Sequence, residues 1–259
     1  MQKWLNDLHA IILKQGFNPE GGGSGGGSGG GSGDGSGVLV GKYLGDTYTN
    51  EQKTAIANGS FNGLHIGDYW TINGINWRIA DFDYYYNVGN TAFTKHHVII
   101  VPDTILGEYA MSVEGNTNGC YSGSALYRNM STYTTLFENA FGSSFIPTHK
   151  GVYSNTATNG VPSNWAWRNM RVELMNEEQL LGHAVWGQNG YDVGTQKTQF
   201  RLFALDKTKI NIRQKYWLTN VKSSTEYSYI DEYGKASFDT TSHWYGVRPF
   251  ACIVGDPEQ

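Results

Sequence analysis

Between Gly21 and Gly37 the chain contains only glycine, serine and the single acid Asp34, and this run dictates how everything around it is organised. Nothing in it can bury apolar surface, so no packing offsets the roughly 1–2 kcal/mol per residue that ordering the backbone would cost. The segment is expected to be a random coil, with a root-mean-square span of roughly 20–25 Å and an extended limit of about 60 Å. It divides the 259 residues into a short segment (1–20), a leash (21–37) and one large domain (38–259). Repeated GGGS is also what an engineered fusion would carry. The irregular tail GSGDGSG and the Met1 start without an affinity tag favour a natural segment.

Ahead of the leash, Trp4, Leu5, Leu8, Ile11 and Ile12 recur at intervals of three and four, which places them on one face of a helix ended by Gly16 and Pro19. A helix of about 13 residues is marginal alone in water, so its apolar stripe is expected to dock on another copy or a larger body. Asn6, Asp7 and His9 interrupt the apolar stretch and no small-residue cleavage site follows, so a signal peptide is not expected. No segment is long and apolar enough to span a membrane.

The large domain reads as short strands mixed with two or three helices, an α+β pattern. Thr49 and Gln52 form a capping box for a helix over 51–58, with Gly59 as its stop. HIGDYWTINGINWRIADFD alternates apolar and polar residues on both sides of Asn73-Gly74, a strong hairpin signal. HHVIIVP reads as a buried strand. YSGSALYRNMSTYTTLFENAFG carries Leu126, Met130, Tyr133, Leu136, Phe137 and Phe141 near helical spacing. RVELMNEEQLLG suggests a strand running into a helical turn at 177–181, and residues 200–205 fit a strand or a short helix. KYWLTNV, YSYIDEYGKASF and WYGVRPFACIV read as three strand segments, the middle one turning at Glu232-Tyr233-Gly234.

Several function classes are disfavoured. A net charge of −4 without a basic run argues against nucleic acid and anionic membrane surfaces as partners. Cys120 and Cys252 could form one disulfide, with two reduced thiols the favoured reading, and no C-x-x-C spacing invites zinc. His96 and His97 are neighbours in a strand and point to opposite faces, so one buried and one exposed histidine is expected in place of a metal site. Asp81, Asp83, Glu173 and Glu177 could supply a carboxylate pair, yet sequence cannot set their separation. No nucleophile, base or metal motif is complete, so neither an enzyme nor a cofactor is expected. Scarce charge with abundant Tyr, Trp, Asn, Ser and Gly instead suits a contact surface.

YWLTNVKSSTEYSYIDEYGKASF followed by YGVRPFACI resembles the closing strands of a domain of unknown function widespread in Firmicutes and their phages. The similarity extends upstream through INWRIADFD, YSGSALYRNM and RVELMNEEQ, covering roughly 66–254. The resemblance implies a C-type-lectin-like (formylglycine-generating-enzyme-like) fold of short antiparallel sheets, as in phage receptor-binding and tropism proteins. Two departures stand out: the family's arginine after Leu218 is replaced by Thr219, and the lectin calcium signatures are missing.

In that fold the loops before the last strand contact ligands, which the resemblance places here at 223–233 and 239–245, with Tyr227, Tyr229, Tyr233, Trp244 and Tyr245 as the contact residues. The cluster Tyr84, Tyr85 and Tyr86 adds a second aromatic set, and strand alternation is expected to turn about half of these inward. Trp77, Trp217, Arg248 and Pro249 read as structural, with Arg248 bonded to a buried carbonyl or carboxylate. The expected protein is a virion-associated display protein. Its helix meets a capsid or tail protein, or copies of itself, and its head binds a host-surface or mucosal glycan or protein. A bacterial cell-surface adhesin is the alternative, and an enzyme of the formylglycine-generating type or a glycosidase the less favoured one.

Overall fold

The computed structural model describes residues 41–158, 160–187 and 198–257. The expected docking helix, with Trp4, Leu5, Leu8, Ile11 and Ile12, and the glycine–serine leash lie outside the described residues.

The described part is mixed α and β, with mostly sheet and few helices. Helix α1 (Asn50–Ala57) starts at the expected capping box, in which Thr49 and Gln52 bond each other's backbone. Gln52 also accepts from the Trp70 indole at 2.8 Å, so the cap ties the helix to the first sheet. Strands β1 (Tyr69–Ile72) and β2 (Ile75–Phe82) form the hairpin forecast at Asn73-Gly74. Both turn residues have positive φ, 53° and 77°, which the type I′ turn requires and Asn-Gly tolerates.

Strand β3 (His97–Pro102) is buried at every position, as the run VIIVP demands of a central strand. Chain order then gives β4 (Glu108–Ala110) and helices α2 (Cys120–Gly123), α3 (Ala125–Arg128) and α4 (Met130–Phe141). Three helices therefore stand where the periodicity suggested one. Ser124 adopts an extended conformation and caps Tyr127 N–H with its hydroxyl, which breaks the first turn from the second. Met130, Tyr133, Phe137 and Phe141 are the buried stripe of α4. Phe137 and Phe141 pack on Trp77 and Trp70 at ring separations of 4.5 and 5.7 Å.

Next come strands β5 (His149–Thr158), β6 (Val161–Met170) and β7 (Val172–Leu174), then helices α5 (Glu177–Leu181) and α6 (Arg201–Leu205). The strand-to-helix reading of RVELMNEEQLLG holds, and residues 200–205 resolve as helix. Strands β8 (Tyr216–Val221), β9 (Glu226–Ile230), β10 (Ala236–Thr240), β11 (Trp244–Gly246) and β12 (Pro249–Val254) complete the fold. The last segment, read as one strand, is two strands belonging to different sheets.

The first sheet has the order β1-β2-β3-β12-β7 and the second β10-β9-β8-β11-β4, while β5 and β6 pair with each other. Arg248 joins the two larger sheets. Its guanidinium donates to Pro102 O (2.9 Å), Lys209 O (3.0 Å) and Tyr216 Oη (3.2 Å), and it lies over the Phe203 and Tyr216 rings. Pro249 opens β12, where a missing N–H is tolerated. Trp77, Trp217, Arg248 and Pro249 are all buried, as their structural reading requires.

Candidate functional site

Strand β10 ends where Asp239 and Thr240 meet the loop 241–243, and several loops meet at this junction. Thr241 N donates to Thr225 O at 3.1 Å, and Thr241 O accepts from Ser112 N at 2.9 Å. Thr117 bonds Ser223 O and Ser224 O. A Cβ at Gly160 would come within 2.5 Å of Ser223 and Ser224, so the β5–β6 turn abuts the same place. Four connections thus converge: 111–119, the β5–β6 turn, 222–225 and 241–243. Val113, Val161 and Trp244, each borne by one of these connections or its flank, are among the most exposed large apolar side chains.

Asp239 is the brace of this surface. Its Oδ2 accepts from Tyr245 Oη at 2.5 Å, and its Oδ1 accepts from Thr240 N at 2.7 Å and lies 2.8 Å from His243 Nδ1. Burial pulls this carboxyl upward, but the bonds from Tyr245, Thr240 N–H and His243 outweigh it and hold the group below the ordinary aspartate value. Burial and the facing Asp239 charge push the Tyr245 phenol up. Tyr245 packs between Trp217 (4.8 Å) and Tyr229 (4.6 Å) with tilted rings, and the Lys215 ammonium lies over the Tyr229 and Tyr245 rings. Trp244, 60% exposed, leans on Tyr109 at 5.4 Å. Asp239 is therefore engaged within the protein and holds the exposed His243 imidazole, while Tyr109 supports the exposed Trp244 indole beside it.

Only part of the expected ligand surface survives this geometry. Tyr84, Tyr85, Tyr227 and Tyr229 are buried and are core residues. Tyr227 and Tyr229 stand two residues apart on β9 and so share one face, which lies against the core. Tyr85 lies beside His149 (4.4 Å) and donates no surface, while Tyr84 bonds Thr198 O. Tyr86 is half-buried and stacks on His96 at 4.6 Å. Tyr233 is 72% exposed in a turn whose Asp231 side chain accepts from Tyr233 N and Lys235 N. Of the expected set, Trp244 and Tyr245 belong to this surface, with the buried Tyr229 packed behind Tyr245. Lys215 links it to the Tyr233 turn through Glu232 at 3.8 Å.

Asp239 and His243 fall inside the expected contact loop 239–245 without being marked by residue type, and Lys215 and Tyr109 lie outside both expected loops. A second presented aromatic was also missed. The buried Glu177 carboxylate accepts N–H bonds from Val185, Trp186 and Gly187 at 2.6–3.1 Å. That nest holds Trp186 at the surface against Phe238 (4.8 Å), with its indole bonded to Ala236 O.

Several interior polar groups bond one another. Asp81 is bonded to Arg201, and burial raises its carboxyl despite that cation. Asp83 accepts from His97 N and faces His96 Nδ1 at 2.7 Å. His97 is buried and held down to about 4 by desolvation, while His96 is part-exposed, the split expected of strand neighbours. Cys120 and Cys252 are free, buried thiols; burial raises both. Among the described residues no three His, Cys, Asp or Glu side chains are grouped to hold a metal, and no helix is long and apolar enough to cross a membrane.

Comparison with protein-family models, with curated proteins and with solved structures finds no match.

Proposed function

We propose that this chain is a display protein whose large domain is a C-type-lectin-like binding head, with Trp244, His243 and Tyr245 as the centre of its contact surface. The observation that carries this reading is the Asp239 brace, which fixes the His243 and Tyr245 side chains on either side of the exposed Trp244. Preorganised aromatics flanked by hydrogen-bonding groups suit a sugar ring or a flat protein patch, because little rotamer entropy is lost on contact. Support for the lectin-like head comes from the sequence resemblance, together with short antiparallel sheets and a surface built from loops before the last strand.

In this reading the helix carrying Trp4, Leu5, Leu8, Ile11 and Ile12 docks on a phage capsid or tail protein or on copies of itself. The leash lets the head sample a host or mucosal surface. Many tethered heads on one particle would turn weak single contacts into avidity. The test is a glycan array and a pull-down of host cell envelopes with the full chain, run beside Trp244→Ala. Binding that Trp244→Ala abolishes supports the head; absence of binding to every surface component sinks it. Deleting residues 1–16 should remove the protein from virions, and retained incorporation would overturn the docking role.

A further inference from the structure

Among the described strands, β5 and β6 pair only with each other. An isolated two-stranded hairpin is marginal in water, so its contacts with the body decide whether this one is ordered. Those contacts come from β5, where His149, Val152, Tyr153 and Ser154 are buried, whereas β6 is mostly half-exposed.

The docking face is polar and incompletely satisfied. Tyr153 completes a triangle with Tyr121 of α2 and Tyr127 of α3, at ring separations of 5.4 and 6.3 Å, and Tyr121 and Tyr127 are 5.3 Å apart. Enclosed there is the carboxyl of Glu173, on β7, facing the Tyr121 and Tyr153 hydroxyls. Its Oε2, the Tyr153 hydroxyl and His149 Nδ1 find no full hydrogen-bond partner. A buried carboxylate in this position would be an uncompensated charge, whereas a carboxylic acid is tolerated.

We propose that the β5–β6 hairpin is a detachable arm latched by the protonated carboxyl of Glu173, and that loss of this proton releases it. Burial pushes Glu173 up to about 8, the two hydroxyls offsetting only part of the effect. The groups around it are Tyr121, Tyr127, Tyr153 and Tyr85, with Arg168 beside Tyr127. His149, at the root of the arm, is pushed down to about 3 by burial and by His97, and it also faces Tyr85, Phe93 and Cys252. Burial raises Tyr85 and Cys252, so both keep their protons through neutral pH.

Opening lets water reach Glu173 and returns it toward 4.5, so between about 4.5 and 8 the closed arm holds the extra proton. Each pH unit in that window favours opening about tenfold. His149 acts oppositely between about 3 and 6.5, where the open arm holds the extra proton. The two cancel between about 4.5 and 6.5. Opening should therefore be constant there, rise about tenfold per unit from 6.5 to 8, and level off above. Because Gly160 abuts Ser223 and Ser224, an open arm withdraws one wall of the loop cluster around Trp244, whatever that cluster binds.

Hydrogen exchange of the full chain between pH 5 and 9, in the regime where opening is fast and reversible, reads this directly. Intrinsic exchange rises about tenfold per pH unit; hairpin amides should rise about a hundredfold per unit between pH 6.5 and 8, while β3 and β12 rise tenfold. Glu173→Gln should restore the tenfold slope in that window. A tenfold slope in the native hairpin, an unchanged steep slope in Glu173→Gln, or a steep slope shared by β3 and β12 would each overturn the latched arm.

Discussion

Trp217 and Trp244 belong to adjacent strands of one sheet and share a neighbourhood of tyrosines, yet one is fully buried and the other 60% exposed. Trp217 is fixed by packing: Tyr229 and Tyr245 cover it and its indole bonds Tyr109 O at 3.0 Å. Trp244 leans on Tyr109, and the side chains next to it in sequence are held by a carboxylate. Identical chemistry is thus spent on the fold in one place and on presentation in the other. What separates them is whether the surrounding strands cover both faces.

The largest effect should come from the covered side. Trp217→Ala or Trp77→Ala removes a buried indole and should cost about 3–5 kcal/mol, lowering the thermal midpoint by roughly 10 °C in calorimetry. Trp244→Ala should stay within about 0.5 kcal/mol of the native protein. Equal losses at the two positions would erase the distinction.

Glu177→Ala comes next, because it leaves the Val185, Trp186 and Gly187 N–H groups without their acceptor. A loss on the order of 3 kcal/mol is expected, with the Trp186 indole resonance shifting in an NMR spectrum. Asp239→Asn is smaller, about 1 kcal/mol, since the site is part-exposed and water can replace the brace. Its depressed carboxyl contributes stability above the ordinary aspartate value and loses it as pH falls below that range. A binding assay should therefore show the Asp239 contribution intact at neutral pH and fading only in strong acid. Tyr233→Ala should change stability by less than about 0.5 kcal/mol, because nothing but its own turn surrounds it.

Legibility in the sequence followed the same division. Features set by local chemistry were readable: the Thr49–Gln52 cap, the Asn73-Gly74 turn, the buried run of β3, the α5 turn and the interior role of Arg248. The β5–β6 hairpin was not, because HKGVYSNTAT and VPSNWAWRNM lack clean alternation and its docking depends on residues from α2, α3 and β7. Tyr227 and Tyr229 share one face of β9, and nothing in the local pattern says that this face turns to the core. Trp244 and Tyr245 were found by residue type. Asp239 and His243 were not, since their importance lies in distances across a loop that no spacing rule encodes.

The most direct test of the presented surface is binding of the full chain to immobilised host cell-surface glycans, compared with Trp244→Ala and His243→Ala at matched thermal midpoints. At least a tenfold loss in both variants, with folding unchanged, is the predicted result. Binding that survives both substitutions undiminished would place the contact surface elsewhere and contradict the account.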